Sequence, residues 1–290
     1  MGTLRFSPAV LLFMLPAFAL YGVFFVVPFA RTVWYSVFEW NGMDDPVFVG
    51  LGNYADLASD ALFRIGFARV ALWAALAVLF KVGIALLLAN FLRERIPGGR
   101  FFEGAFFVPV VISSAAISLL FTLLYDPDIG LVNAALRAVG LGQLARAWLA
   151  DQNTALLAVI AVPIWHTIGY FFIILLAAMR NIPRELYEAA RLDGAGARMT
   201  FTHITVPTLW PVLQVCMVLA VTAALKSFDY VFVMTRGGPG TATEVPVTVM
   251  YKTIFVNLQL GYGTAMATTI FAVAMLATLA IRRFTRFGMG

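Results

Sequence analysis

The chain has 290 residues and a net charge of +5; 62% of its residues are hydrophobic and only 12% are charged. A soluble domain needs more surface charge than this, so the composition indicates a protein embedded in a lipid bilayer. The basic residues lie in short clusters at the ends of apolar runs, which argues against nucleic-acid binding. The lone Cys216 excludes an intramolecular disulfide, and with only two histidines beside it no metal site is predicted.

Six mostly apolar runs are long enough to cross about 30 Å of hydrocarbon as helices. None shows the period-two alternation of strands in a membrane barrel, so the predicted fold class is an all-α membrane protein with six transmembrane helices. A short N-terminal segment, residues 1–8, is expected to precede a single transmembrane domain, residues 9–290. The predicted spans cover about residues 9–30, 70–92, 104–125, 154–179, 207–232 and 261–281.

The first run raises the alternative of a secretory signal peptide, because Ala17-Phe18-Ala19 matches a cleavage pattern of small residues. The apolar run nevertheless continues to Ala30, which a removable peptide would not need. A retained helix is therefore the favoured interpretation.

Lysine and arginine are unevenly divided between the two sides of the predicted bundle. The N-terminus, the two loops 93–100 and 180–198, and the C-terminus together carry eleven arginines, whereas the opposite side carries seven basic residues. The positive-inside rule then places both termini, and the loop 180–206, in the cytoplasm.

Two connecting segments on the other side are predicted to form short helices. Residues 50–63 offer Asn53 as a helix cap, and residues 131–142 form an amphipathic pattern that ends in glycine. They either close the bundle or provide a docking surface for an extracytoplasmic partner.

The cytoplasmic loop contains a polar helix pattern between two long apolar runs. Pro183 suits the first turn, Glu185 lies near the positive end of the helix dipole, and Gly194 and Gly196 allow the chain to leave the helix. A helix of roughly three turns, too polar for lipid, is therefore predicted outside the membrane. One face is expected to carry Leu186, Ala189, Ala190 and Asp193.

This loop resembles the EAA loop of ABC-importer permease subunits, through Glu188-Ala189-Ala190, Asp193-Gly194-Ala195, Phe201, Ile204, Pro207 and Pro211. Residues 106–136, 227–244 and 255–267 are similar to the carbohydrate and glycerol-phosphate branch of that family, the maltose-like type I permeases. The resemblance implies the type I ABC-importer permease fold in a bacterial or archaeal cell (inner) membrane. It also implies a non-enzymatic subunit that passes a carbohydrate or related polyol derivative through the membrane.

The partners implied by the resemblance are a second permease subunit in a heterodimer, two cytoplasmic ATPase subunits and an extracytoplasmic solute-binding protein. No cofactor is expected in this chain, because it has no GxxxxGK[ST] phosphate loop; ATP and Mg²⁺ belong to the ATPase. In the family this helix docks in a groove of the ATPase. The residues expected to couple the two are Glu185, Tyr187, Glu188, Ala189, Ala190, Leu192, Asp193, Gly194 and Ala195.

Charged residues at membrane depth are costly, so Lys81, Lys226 and Asp229 need water, a partner or a solute. Lys226 and Asp229, three residues apart, either neutralise each other or line the solute path. Aromatic and hydrogen-bonding side chains nearby are of the kind that hold sugars, although they also serve in packing. The predicted path residues are Trp165, His166, Tyr170, Gln214, Lys226, Asp229 and Tyr230.

An ion-gradient-driven secondary transporter is the alternative function. The docking-type helix and the lack of an obvious inverted repeat in the sequence disfavour it. A membrane enzyme is disfavoured as well, because no catalytic triad or paired acids are visible at membrane depth.

Overall fold

The computed structural model describes residues 8–94 and 97–286. Residues 1–7 of the predicted N-terminal segment, with Arg5, and Arg95 of the basic loop lie outside the described residues. The helices, in chain order, are α1 Pro8–Tyr21, α2 Val27–Tyr35, α3 Gly52–Ser59, α4 Ala61–Leu76, α5 Gly83–Leu92, α6 Gly99–Val111, α7 Ser114–Leu124, α8 Leu131–Ala138, α9 Ala155–Arg180, α10 Arg184–Leu192, α11 Ala197–Thr200, α12 Val206–Leu225, α13 Phe228–Met234, α14 Pro246–Phe255 and α15 Leu260–Arg286.

Three wide π-helical turns join consecutive helices into longer rods. Gly22–Val26 joins α1 to α2, Ala77–Val82 joins α4 to α5, and Phe201–Thr205 joins α11 to α12. Within the described residues, five rods are long and apolar enough to cross a membrane, and the bent pair formed by α6 and α7 makes a possible sixth.

The predicted third span, residues 104–125, is not one straight helix. Helices α6 and α7 meet at an angle of 95°, because Ile112 adopts an extended backbone conformation and ends α6. Ser113 then starts α7 as its N-cap, with its hydroxyl oxygen accepting a hydrogen bond from the Ala116 N–H at 3.3 Å. The predicted fifth span is also interrupted, since Lys226 and Ser227 lie between α12 and α13.

One compact unit comprises the described parts of residues 1–60 and 250–271. It contains a two-stranded antiparallel hairpin, β1 Phe38–Glu39 and β2 Val47–Phe48, which the all-α prediction missed. The hairpin loop includes Gly42 at φ +90°, a conformation that favours glycine.

Asn53 lies inside α3 in this unit and is not its cap, so that prediction was wrong. Its amide Nδ2 donates to the carbonyl oxygens of Ser36 at 2.9 Å and Phe38 at 2.8 Å. The side chain is buried because it connects α3 to the β1 strand, and these two bonds satisfy its donors.

The second unit comprises the described parts of residues 61–249 and 272–290. Helix α9 is its centre, with α5, α6 and α12 packed against it around buried side chains such as Trp73, Phe172 and Leu175. At Gly169, α6 comes so close that an added Cβ would overlap the carbonyl oxygen of Phe106. This close crossing fixes the position of α6 beside the residues described next.

Candidate functional site

Helix α10 is the structural counterpart of the predicted cytoplasmic helix. Pro183 stands at its N-cap, one position before the predicted first turn, and Glu185 and Arg191 occupy the ends that suit their charges. Gly194 at φ +77° ends the helix, and the Ala195 N–H donates to the carbonyl of Ala190 at 2.8 Å. This bond closes the helix with the geometry of a Schellman cap.

The inward face of α10 is held by an aromatic side chain and a small one. Ala190 is 7% exposed, and the half-buried Tyr187 places its hydroxyl 3.1 Å from the hydroxyl of Thr205. The guanidinium of Arg93 lies 4.3 Å from the centre of the Tyr187 ring. These contacts attach α10 to the beginning of α12 and to the end of α5.

One ion pair connects the segment after α5 to α10, and another connects α6 to α9. Arg191 lies 3.2 Å from Glu94, and Arg180 lies 2.7 Å from Glu103. The first pair is well exposed and contributes little to stability, whereas the second is partly shielded and has the better geometry. Arg180 also donates to the carbonyl of Leu92 at 3.4 Å.

The outward face of α10 combines acidic and apolar side chains that are open to solvent. Glu185, Glu188, Ala189 and Asp193 are exposed. Leu186 and Leu192 are 44% and 89% exposed. Of the four residues predicted to lie near one face, Ala190 is buried, whereas Leu186, Ala189 and Asp193 are exposed.

A second group of polar residues lies where α6 bends into α7. Buried His166 of α9 donates from Nε2 to the carbonyl oxygen of Ile112 at 3.0 Å, since a carbonyl can only accept. Its other nitrogen, Nδ1, lies 2.7 Å from the hydroxyl of Tyr230, which donates to the neutral ring. His166 therefore joins the bend to α13 and serves as a structural link.

Asp229 takes a partner that was not predicted. Its carboxylate accepts a hydrogen bond from the hydroxyl of Ser114, in the first turn of α7. Lys226 and Asp229 form no ion pair in the described part of the chain, because non-helical backbone at Lys226 and Ser227 removes the helical spacing that the pairing needs.

A cavity of about 250 Å³ lies beside this group within the second unit. Of the predicted path residues, Tyr170 and Tyr230 line it, and His166 supports Tyr230 from outside the cavity lining. Its polar lining residues are Lys81, Thr167, Tyr170, Ser227 and Tyr230, and its apolar ones include Trp73, Phe171 and Leu219. The sequence identifies Lys81 as a costly charge at membrane depth, but the predicted solute path does not include it.

The other predicted path residues lie elsewhere. Trp165 is 47% exposed and lines a larger apolar groove of about 860 Å³ that α4, α5, α6 and α9 form. Gln214 is half-buried in α12, and Lys226 is exposed at its end. None of these three lines the 250 Å³ cavity.

Comparison with known proteins adds independent information. The model of the family described as "Binding-protein-dependent transport system inner membrane component" matches residues 81–287. The probable ABC transporter permease protein YurN of Bacillus subtilis (strain 168) is 39% identical over 280 residues, which are 96% of each chain. The diacetylchitobiose uptake system permease protein NgcF of Streptomyces coelicolor is 31% identical, over 94% of this chain and 81% of NgcF.

Among solved structures, the chain is similar to one from a bacterial ABC transporter involved in the import of the acidic polysaccharide alginate. The TM-score is 0.83 and the match covers 97% of this chain and 96% of the other, at 22% identity. At this level of identity the likeness shows the fold.

Proposed function

Because the chain belongs to the family of inner membrane components of binding-protein-dependent transport systems, we propose that it is the membrane-spanning permease subunit of an ATP-driven importer for a carbohydrate or a related polyol or sugar derivative. The relatives described above are named as permease proteins and not as enzymes. NgcF is named for the uptake of diacetylchitobiose, which supports a carbohydrate as the solute here.

The observation that carries the proposal is the two-sided construction of α10. Its outward face leaves Glu188, Leu186 and Leu192 exposed, an arrangement suited to the groove of a second protein. Its inward face is attached through Tyr187 to the start of α12. A helix built in this way can receive movement from a cytoplasmic ATPase and pass it to the membrane helices.

The transport step follows from alternating access. ATP binding, with Mg²⁺, closes two ATPase subunits on each other and moves the docked α10 helices together. The paired permeases then change from inward-facing to outward-facing, and the extracytoplasmic binding protein releases its solute into the path between them. In this chain the 250 Å³ cavity beside Tyr170 and Tyr230 is the proposed solute site.

The arrangement in the membrane is part of the same proposal. The termini and α10 lie in the cytoplasm, as the distribution of arginines requires. In the described part of the chain, no residue of the long apolar rod Leu12–Tyr35 is buried. This exposure suits contact with lipid and with a second, different permease subunit.

The proposal is tested by purifying the tagged chain from native membranes in mild detergent. A second permease and an ATPase are expected to co-purify with it, and the solute should stimulate ATP hydrolysis. Glu188→Lys reverses a charge on the exposed face, and Gly194→Pro replaces a residue whose φ of +77° proline cannot adopt. Both should lower stimulated hydrolysis and uptake about tenfold while membrane insertion stays normal, a loss of about 1.4 kcal/mol of coupling.

A matched control is available at the end of α8. Gly140 also has a positive φ, +79°, and no atom lies near its would-be side chain, so Gly140→Pro disturbs a helix end of the same kind away from α10. It should leave the co-purification of the ATPase and its hydrolysis in the absence of solute unchanged. Normal uptake at normal expression in both α10 variants would refute the coupling role, and uptake that survives deletion of the ATPase would indicate a secondary transporter.

A further inference from the structure

Lys81 is a buried cation that takes no part in the coupling proposed above. It is 3% exposed and lies in the wide turn Ala77–Val82, about three turns from the end of α5 at Leu92. Wide turns of this kind are frequent at functional sites. An ammonium group at such depth is expensive unless an anion, water or a ligand compensates its charge.

No residue in the described part of the chain compensates this charge. Lys81 makes neither an ion pair nor a hydrogen bond among residues 8–94 and 97–286, and its recorded contact is with the Phe171 ring, 5.5 Å from Nζ to the ring centre. Asp229 bonds to Ser114, and the other titratable groups nearby, His166, Tyr170 and Tyr230, are not carboxylates. A contact with an aromatic ring offsets only a small part of the cost of burying a charge.

The cavity of about 250 Å³ supplies the space for a compensating ligand. It would hold about eight water molecules at roughly 30 Å³ each, which is enough for a small polar solute. Tyr170 lines it as well, and within the described residues its hydroxyl makes no hydrogen bond. The ammonium group can only donate and the phenol readily donates, so together they suit a ligand rich in acceptors.

We propose that this cavity binds a solute that carries an anionic group, a carboxylate or a phosphate, beside its hydroxyl groups, and that Lys81 contacts this anion. The inference rests on the import function proposed above and narrows its solute class. The Tyr170 hydroxyl donates to the same solute, and the Phe171 ring lies 5.5 Å from the Lys81 Nζ.

The test measures binding to the tagged chain, with whatever subunits co-purify, in phosphatidylcholine nanodiscs. Three matched pairs of probes are used, each with a charged and an uncharged member: gluconate and glucitol, galacturonate and galactose, glycerol 3-phosphate and glycerol. At least one charged probe should bind about tenfold or more tightly than its neutral counterpart, because only the charged probe makes a charge-assisted contact with the buried ammonium group. The first two pairs report a carboxylate ligand and the third a phosphate ligand.

Substitutions test whether Lys81 causes the preference for the charged probe. Lys81→Met should reduce the ratio of the charged-probe affinity to the neutral-probe affinity to about one, whereas Lys81→Arg should retain a preference for the charged probe. The control Lys252→Met removes a lysine that does not line the cavity and should leave this ratio unchanged. The melting temperature of each unliganded variant shows whether the protein is folded, and Lys81→Arg keeps the comparison valid if Lys81→Met is unstable.

The proposal is overturned if the wild-type protein binds both members of every pair equally, as it would if a carboxylate of the second permease neutralised Lys81. It is also overturned if Lys81→Met keeps the preference. If either result is found while the ATPase still co-purifies, the anionic-solute proposal fails and the proposed import function stands. If the ATPase does not co-purify, the import function is the proposal that fails.

Discussion

Replacing Gly169 with alanine should force α6 away from α9. The new Cβ would overlap the carbonyl oxygen of Phe106, lie 2.6 Å from its carbonyl carbon and lie 3.1 Å from the Cα of Phe107. Ordinary van der Waals contact begins near 3.4 Å, so the two helices must separate by roughly 1 Å in an interior that has little free volume. Overpacking of this kind typically costs about 1–3 kcal/mol.

The displacement should reach the proposed solute site as well as the fold. Helix α6 carries Val110, which lines the cavity, and ends beside Ile112, whose carbonyl accepts the His166 bond. We therefore expect Gly169→Ala to lower the apparent melting temperature of the purified complex by roughly 3–10 °C. Solute uptake should fall even where the protein is inserted at the normal level.

The loss of stability is measured by thermal unfolding in detergent, monitored by tryptophan fluorescence. The loss of transport is measured as solute uptake at matched expression. The matched control is Gly104→Ala in α6 itself, where nothing lies within 4 Å of an added Cβ; better helix propensity should leave this variant as stable as wild type or stabilise it by up to about 1 kcal/mol. If Gly169→Ala melts at the wild-type temperature and transports normally, the close crossing of α6 and α9 is incorrect.

Two further predictions concern single contacts. Tyr230→Phe removes the donor to buried His166, so it should destabilise the protein by about 1–3 kcal/mol in thermal unfolding while the ATPase still co-purifies; an unchanged melting temperature would contradict the bond. The backbone N–H groups of Ile129 and Asp128 hold the pKa of Asp126 below its ordinary value of 3.8, so its contribution to the local turn is present above that pH and is lost as the pH falls through the folded-state pKa. The protection factors for hydrogen exchange across residues 126–130 should fall below about pH 4 in the wild type, and this fall should disappear in Asp126→Asn.

Apolar run length predicted the long helices well, because about twenty uninterrupted apolar residues rarely have another stable form in lipid. Helix α9, Ala155–Arg180, coincides closely with the fourth predicted run. The same reasoning missed the 95° bend between α6 and α7, since the sequence stays apolar through Ile112. The bend brings the carbonyl of Ile112 against a distant residue, His166, which donates a hydrogen bond to it, and no local pattern reveals that contact.

Side-chain partners were harder to predict than helices. Lys226 and Asp229 were expected to share a helical face, but the break after Leu225 places them on different elements, and Ser114 reaches Asp229 instead. Asparagine is a common helix cap, but Asn53 lies inside α3 and donates hydrogen bonds to the carbonyl oxygens of Ser36 and Phe38, at the neighbouring hairpin. The sequence alone shows Lys81 as a charged residue in an apolar run. Its place in the wall of a cavity becomes visible only when five helices are packed together.

The proposed coupling through α10 requires a structural route from this helix to a cavity that it does not touch. The Tyr187 hydroxyl bonds to Thr205, immediately before α12, and both α12 and the following α13 line the cavity. Helix α9, which lines another wall, ends at Arg180 immediately before α10, and Arg180 binds Glu103 of α6, the helix that contributes a third wall. Helices transmit displacement along their length with little compression. We therefore infer that moving α10 changes the spacing of three cavity walls together, and that weakening any one of these attachments should reduce coupling without removing the solute site.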